Sequence, residues 1–110
     1  VEIRPGDVPA RSNLGTALAY LGRNGEAVAV LRQAVELDGG YVPARFNLGL
    51  ALMNQGERGA ALKEWREVVR LKPDHGEALT QMAWVLATSR EAGLRDAREA
   101  VLLGERAAGL

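Results

Sequence analysis

A shift of 34 residues aligns the chain with itself, and a period of that size decides architecture before any local pattern is read. Val8, Pro9, Ala10, Arg11, Asn13, Leu14, Gly15, Ala17 and Leu18 recur as Val42, Pro43, Ala44, Arg45, Asn47, Leu48, Gly49, Ala51 and Leu52. Gly22, Gly25, Ala27, Arg32, Val35 and Leu37 recur as Gly56, Gly59, Ala61, Arg66, Val69 and Leu71. A weaker third copy carries Met82, Ala83 and Leu86 in place of Leu48, Gly49 and Leu52, and closes with Ala100, Val101, Ala107 and Leu110. Its middle holds a five-residue insertion, either a longer connection between elements or an extension of both. Repeats are therefore expected over 8–41, 42–75 and 76–110, in one domain spanning 1–110. Residues 1–7 align with 35–41 and read as the end of a preceding repeat, so the array is expected to continue upstream.

Inside each copy the apolar spacing is helical: Leu14, Leu18 and Leu21 fall at i, i+4 and i+7, as do Ala27, Leu31 and Ala34. Each repeat is thus a pair of helices, with Leu14, Leu18 and Leu21 expected on the core face of the first. Gly22-Arg-Asn-Gly25 and Gly56-Glu-Arg-Gly59 read as the turns between them. Pro9 and Pro43 suit a first helical turn, where a missing N–H costs nothing. Asp74 with Glu77 reads as a capping pair. Small residues sit where two helices must approach closely: Gly15, Gly49 and Ala83 in the first helix, Ala27, Ala61 and Ala100 in the second. Trp65, standing where Leu31 stands, is expected in the core, and His75 is expected to be solvated or capping.

A small residue after leucine in the first helix, alanine opening the second and a proline-containing link resemble the tetratricopeptide repeat. Pro5 and Pro73 match the family's closing proline, which Gly39 replaces once. Arg11, Arg45 and Leu79 stand where the family often has tryptophan, and Leu18, Leu52 and Leu86 where it prefers tyrosine. The resemblance implies an all-α, right-handed superhelix of antiparallel helix pairs. It also implies a non-catalytic module binding a protein or peptide partner on the concave side, lined by the first helices.

Residues of the first helices outside the expected core face define that groove. Asn13, Thr16 and Tyr20 share one face, as do Asn47, Leu50 and Asn54; Ser12, Phe46, Met53, Thr80, Gln81, Trp84 and Thr88 complete the stripe. The binding set read from it is Asn13, Thr16, Tyr20, Phe46, Asn47, Leu50, Asn54, Gln81, Trp84 and Thr88. Its amides offer donors and acceptors to a peptide backbone, and Phe46, Leu50 and Trp84 offer apolar contact. Some relatives grip a terminal carboxylate with lysine and arginine on these helices; here only Asn47 matches that clamp. An uncharged or mixed ligand segment is expected.

Composition narrows the alternatives. Formal net charge is +0, which leaves no electrostatic footprint for nucleic acid. No apolar run approaches the roughly 20 residues of a membrane span, so insertion is not expected. With no cysteine and one histidine, neither a metal, a cofactor nor a catalytic constellation is expected, and the compartment is left open. Arg90, Arg95 and Arg98, balanced by Glu91, Asp96 and Glu99, read as a solvated helix face. Lys63 and Lys72 are the only lysines, a bias that points to a GC-rich bacterial genome. Two further roles fit the same pattern: a scaffold that forms homo-oligomers through exposed repeat ends, or a substrate-recruiting array of a larger enzyme.

Overall fold

The computed structural model describes residues 6–89 and 96–109, and among them every regular element is an α-helix. The order is α1 (Val8–Tyr20), α2 (Asn24–Leu37), α3 (Val42–Asn54), α4 (Arg58–Leu71), α5 (Gly76–Thr88) and α6 (Ala97–Ala108). Consecutive helices pack as the pairs α1/α2, α3/α4 and α5/α6, stacked into an elongated array of 46 × 26 × 20 Å. Helix α3 also packs on α2, and α5 on α4. Helix α1 packs directly on α3, more closely than α2 approaches α4, so the first helices take the inner, concave side and the second helices the outer one.

The first two pairs are held at close range by a glycine. A Cβ built on Gly15 would lie 2.4 Å from Leu31 Cγ, and one built on Gly49 would lie 2.2 Å from Trp65 Nε1. Leu31 and Trp65 are both 0% exposed, filling equivalent slots one period apart. Trp65 further donates its indole N–H to the Phe46 carbonyl at 3.2 Å, which satisfies the one polar atom of a fully buried ring. In the third pair the arrangement changes: Ala83 replaces the glycine of α5, and the facing position of α6 is Gly104, where an added Cβ would meet nothing within 4 Å.

The turns follow the same economy. Gly22 and Gly56 adopt φ of 80° and 82°, the left-handed conformation that ends α1 and α3. Gly25 and Gly59, expected in those turns, instead lie in the opening turns of α2 and α4. A backbone bond then closes each connection: Arg23 N–H to the Leu18 carbonyl, Glu57 N–H to Leu52, and Asp96 N–H to Leu86, all at 2.9 Å. Three residues separate α1 from α2 and α3 from α4, and eight separate α5 from α6. The insertion thus falls between the helices and extends neither, while its ends keep the register of the shorter turns. Residues 90–95, including Arg90, Glu91 and Arg95, lie outside the described residues, as do residues 1–5 of the expected preceding repeat.

Several expectations need correction. Leu18 is buried, but Leu14 is 39% and Leu21 72% exposed. Leu21 is the C-cap of α1, past its last helical turn, and Leu14 occupies the position that α2 covers at Leu48 and α4 covers at Met82. His75 rather than Asp74 caps α5, its Nδ1 accepting from the Ala78 N–H at 3.1 Å. Asp7 performs the equivalent role on α1, accepting from Ala10 N–H at 3.0 Å. Glu99, expected on a solvated helix face, receives a bidentate contact from Arg66 of α4, which raises the Arg66 pKa above its ordinary value. The arginine at the family's tryptophan position also finds a partner, since Arg45 meets Glu64 at 2.9 Å and bonds the Gly39 carbonyl. The matching positions in the third pair are Leu79 and Leu103, both buried, so an ion pair has been exchanged for apolar residues.

The glycine slot yields a paired prediction. Gly49→Ala forces the Trp65 ring out of its seat and is expected to lower unfolding free energy by about 1–3 kcal/mol. Gly104→Ala, unobstructed in mid-helix, is expected to raise it by about 0.5–1 kcal/mol. Urea denaturation of the two variants beside the parent chain measures both; equal effects would show that the slot does not set the helix spacing.

Candidate binding groove

The concave side is built from corresponding positions of α1, α3 and α5. Asn13, Asn47 and Gln81 form one row along the array, Thr16, Leu50 and Trp84 a second, and Tyr20, Asn54 and Thr88 a third. Helical spacing puts members of each repeat on one face, and the 34-residue period repeats that face beside its neighbour.

Between α1 and α3 this face sinks into a cleft of about 200 Å³ lined by Thr16, Ala19, Tyr20, Asn47, Leu50 and Asn54. Five of the ten residues read from the sequence are brought together here. Ala19 was missed, because an alanine carries no chemistry of its own; the signal was its position one period before Met53, already in the stripe. Tyr20 stands 92% exposed at the rim, and Leu50 packs partly against the core. None of the six lining residues is charged.

The amides are not simply presented to solvent. Asn47 Nδ2 donates to Thr16 Oγ1 at 2.9 Å, and Thr16 in turn donates to the Ser12 carbonyl at 3.0 Å. Asn54 Nδ2 donates to Asn24 Oδ1 at 3.3 Å. Both amides therefore tie one repeat to the one before it, and these bonds fix the direction in which the rest of each amide points. A second polar atom of the amide, the Asn47 oxygen, is an acceptor that this bond leaves available on the same side chain.

The other five residues are placed differently. Phe46 is not in the groove: it is 8% exposed, with its ring 6.3 Å from Trp65 and 4.8 Å from His75. Ser12, one period earlier and assigned to the same stripe, is 2% exposed. That position of the first helix turns toward the partner helix of its own pair and the link, which is why an aromatic there becomes core. Asn13 is exposed on α1 outside the cleft, and Gln81, half-buried, lies on α5. Trp84, also on α5, is 63% exposed, and Thr88 bonds back to the Trp84 carbonyl at 2.6 Å. The approach of α5 to α3 is slighter than that of α3 to α1, and these α5 residues continue the face along the array.

Two family models match the chain: one described as TPR repeat over residues 15–56, the other as Tetratricopeptide repeat over residues 42–75. The chain belongs to the tetratricopeptide repeat family. Repeats of this family mediate protein–protein interaction and are typically non-catalytic. Neither match extends beyond residue 75, where the third pair departs through its insertion and its exchanged slot. Among solved structures, the crystal structure of MamA is similar at 24% identity and a TM-score of 0.84, covering 96% of this chain and 59% of that one. A MamA mutant with an arginine-to-glutamate substitution matches at 25% identity and a TM-score of 0.77, covering 94% of this chain and 72% of that one. The chain thus spans less than two thirds of the first of these proteins, and the likeness at 24% identity shows the fold alone. No sequence match was found among curated proteins. Among the described residues no cluster of histidine, aspartate and glutamate could hold a metal ion, and no helix is long and apolar enough to cross a membrane.

The Asn47–Thr16 contact can be weighed directly. A double-mutant cycle of Asn47→Ala and Thr16→Val, followed by urea denaturation, is expected to show a coupling of about 0.5–1.5 kcal/mol. Additive effects would mean that Asn47 is not used between repeats.

Proposed function

We propose that this tetratricopeptide array is a non-catalytic interaction module that takes an extended or helical protein segment along its concave face. The cleft between α1 and α3 is its anchor site, and Trp84 extends the contact surface along α5. The observation that carries this reading is the cleft itself: an apolar floor at Ala19 and Leu50, amides at Asn47 and Asn54, and an exposed tyrosine at the rim. An apolar side chain of the ligand would seat on the floor, where burial of roughly 100 Å² of apolar area is worth about 2.5 kcal/mol. Polar backbone groups of the ligand would meet the amides. With no charge in the lining, the ligand segment is expected to be neutral or mixed.

Selection of a displayed random peptide library against the chain tests this. Enriched peptides are expected to share an apolar residue and little charge. They should bind the parent at least about tenfold (1.4 kcal/mol) more tightly than Leu50→Asp or Tyr20→Ala variants of unchanged helical circular dichroism. No enrichment, or peptides indifferent to both substitutions, rejects the groove.

A second reading, self-association through a repeat end, is favoured by one comparison of equivalent positions. Val28 and Leu62 are 9% and 5% exposed on second helices that the following repeat covers, whereas Val101 of α6 is 58% exposed. Leu102 beside it is 60% exposed. Light scattering over a concentration series would detect a rise in mass that Val101→Glu abolishes; a concentration-independent monomer excludes this reading.

A further inference from the structure

The convex side carries chemistry that the groove does not. Between α4 and α6 runs a furrow floored by α5, with a cleft of about 410 Å³. Arg66, Arg70 and Arg106 stand around it with a single carboxylate, Glu99, over a base that includes buried Met82 and Leu103. A further cleft of about 340 Å³ continues the furrow on the same Arg66 and Glu99 side chains. The chain as a whole has a formal net charge of +0, and along this furrow Lys63, Arg66, Arg70 and Arg106 stand against Glu67, Asp96 and Glu99, a small local excess of positive charge.

This excess is peculiar to the second furrow. One period earlier, between α2 and α4, the equivalent positions are Arg32, Glu36, Ala60 and Glu67, so the sign of the charge is reversed within the same fold. The guanidiniums are also held in place. Arg66 is fixed by Glu99, Arg70 by Glu67, and Arg106 donates one of its N–H groups to the Pro73 carbonyl at 3.0 Å. A guanidinium has five N–H donors in a rigid fork, so each retains donors for an incoming carboxylate. At the same time side-chain exposures of 48% for Arg66 and 30% for Glu99 leave their pair open to competition from outside.

We propose that the α4/α6 furrow is a second docking surface, for an acidic amphipathic protein segment that lays apolar side chains on the Met82–Leu103 base and carboxylates on Arg66, Arg70 and Arg106. Peptide is favoured over nucleic acid because the base is aliphatic, with no aromatic ring on which a nucleobase could stack. In the bound state a ligand carboxylate takes the place of Glu99 on Arg66. Glu99 therefore acts as an internal competitor, which a purely structural ion pair would not.

The test uses two fluorescein-labelled synthetic helical peptides, one of leucine and glutamate and one with every glutamate replaced by glutamine, titrated against the chain by fluorescence anisotropy. The glutamate peptide is expected to bind about tenfold or more tightly than its isostere, and to weaken as salt is raised. Arg70→Glu combined with Arg106→Glu should weaken it by a similar factor, and Arg106→Gln alone should weaken it less, provided circular dichroism is unchanged. Glu99→Gln should tighten it severalfold, and Leu50→Asp, on the opposite face, should leave it unaffected. Equal binding of the two peptides overturns the proposal, as does a Glu99→Gln variant that folds and binds no better. Tighter binding of a single-stranded oligonucleotide than of the glutamate peptide would also overturn it.

Discussion

The distance between the two helices of a pair is set by one contact, the seating of a large side chain of the second helix against a glycine of the first. Leu31 on Gly15 and Trp65 on Gly49 do this in consecutive repeats, and a methyl group on either glycine would occupy space already filled. Everything on the concave face inherits its spacing from that contact. Close pairing draws α1 and α3 near enough for Asn47 to reach Thr16 and for Asn54 to reach Asn24. Those bonds in turn shape the cleft that holds Leu50 and Tyr20. Because packed interiors have little slack, an angstrom lost at the slot would be felt at the rim.

Repetition made the architecture legible in the sequence. The 34-residue coincidence announces stacked helix pairs, and glycines at Gly15 and Gly49 announce close approach before any coordinate is known. What periodicity resolves poorly is which way a particular side chain turns within a half-exposed helix. Phe46 and Leu50 both lie off the leucine stripe of α3, yet the first turns inward to Trp65 and His75 while the second borders the cleft. The difference depends on the residue opposite, and Trp65 belongs to another helix 19 positions away. The same limit explains Leu14 and Leu21: spacing assigns them to one face, but exposure depends on which helix, if any, covers that face. Ion pairs between repeats, such as Arg66 with Glu99, were invisible for a related reason, since the insertion displaces Glu99 from its simple period.

The two faces of the array divide their chemistry. The concave cleft is uncharged and uses amides and apolar surface, whereas the α4/α6 furrow gathers three arginines over an aliphatic base. Such a division has a physical basis in how a repeat can vary. First-helix positions facing the groove contact the preceding repeat, so a change there also disturbs stacking. Second-helix positions such as Glu36 and Arg70 sit at the outer surface and can change sign between copies at little cost to the fold. Duplication thus supplies a common frame on which opposite electrostatic surfaces can be written.

The bond from Asp96 N–H to the Leu86 carbonyl reproduces, across a longer connection, the one made by Arg23 to Leu18 and by Glu57 to Leu52. The backbone therefore pinches shut at the foot of the insertion, and Asp96 caps α6 through the Glu99 N–H at 3.0 Å as if the connection were short. Since the entropy of closing a loop grows only logarithmically with its length, a connection anchored in this way is a point where chain can be gained or lost without rotating the helices on either side. The α5/α6 junction is in that sense a graft site: it can host recognition loops of different lengths, or an inserted domain, while the curvature of the array is conserved.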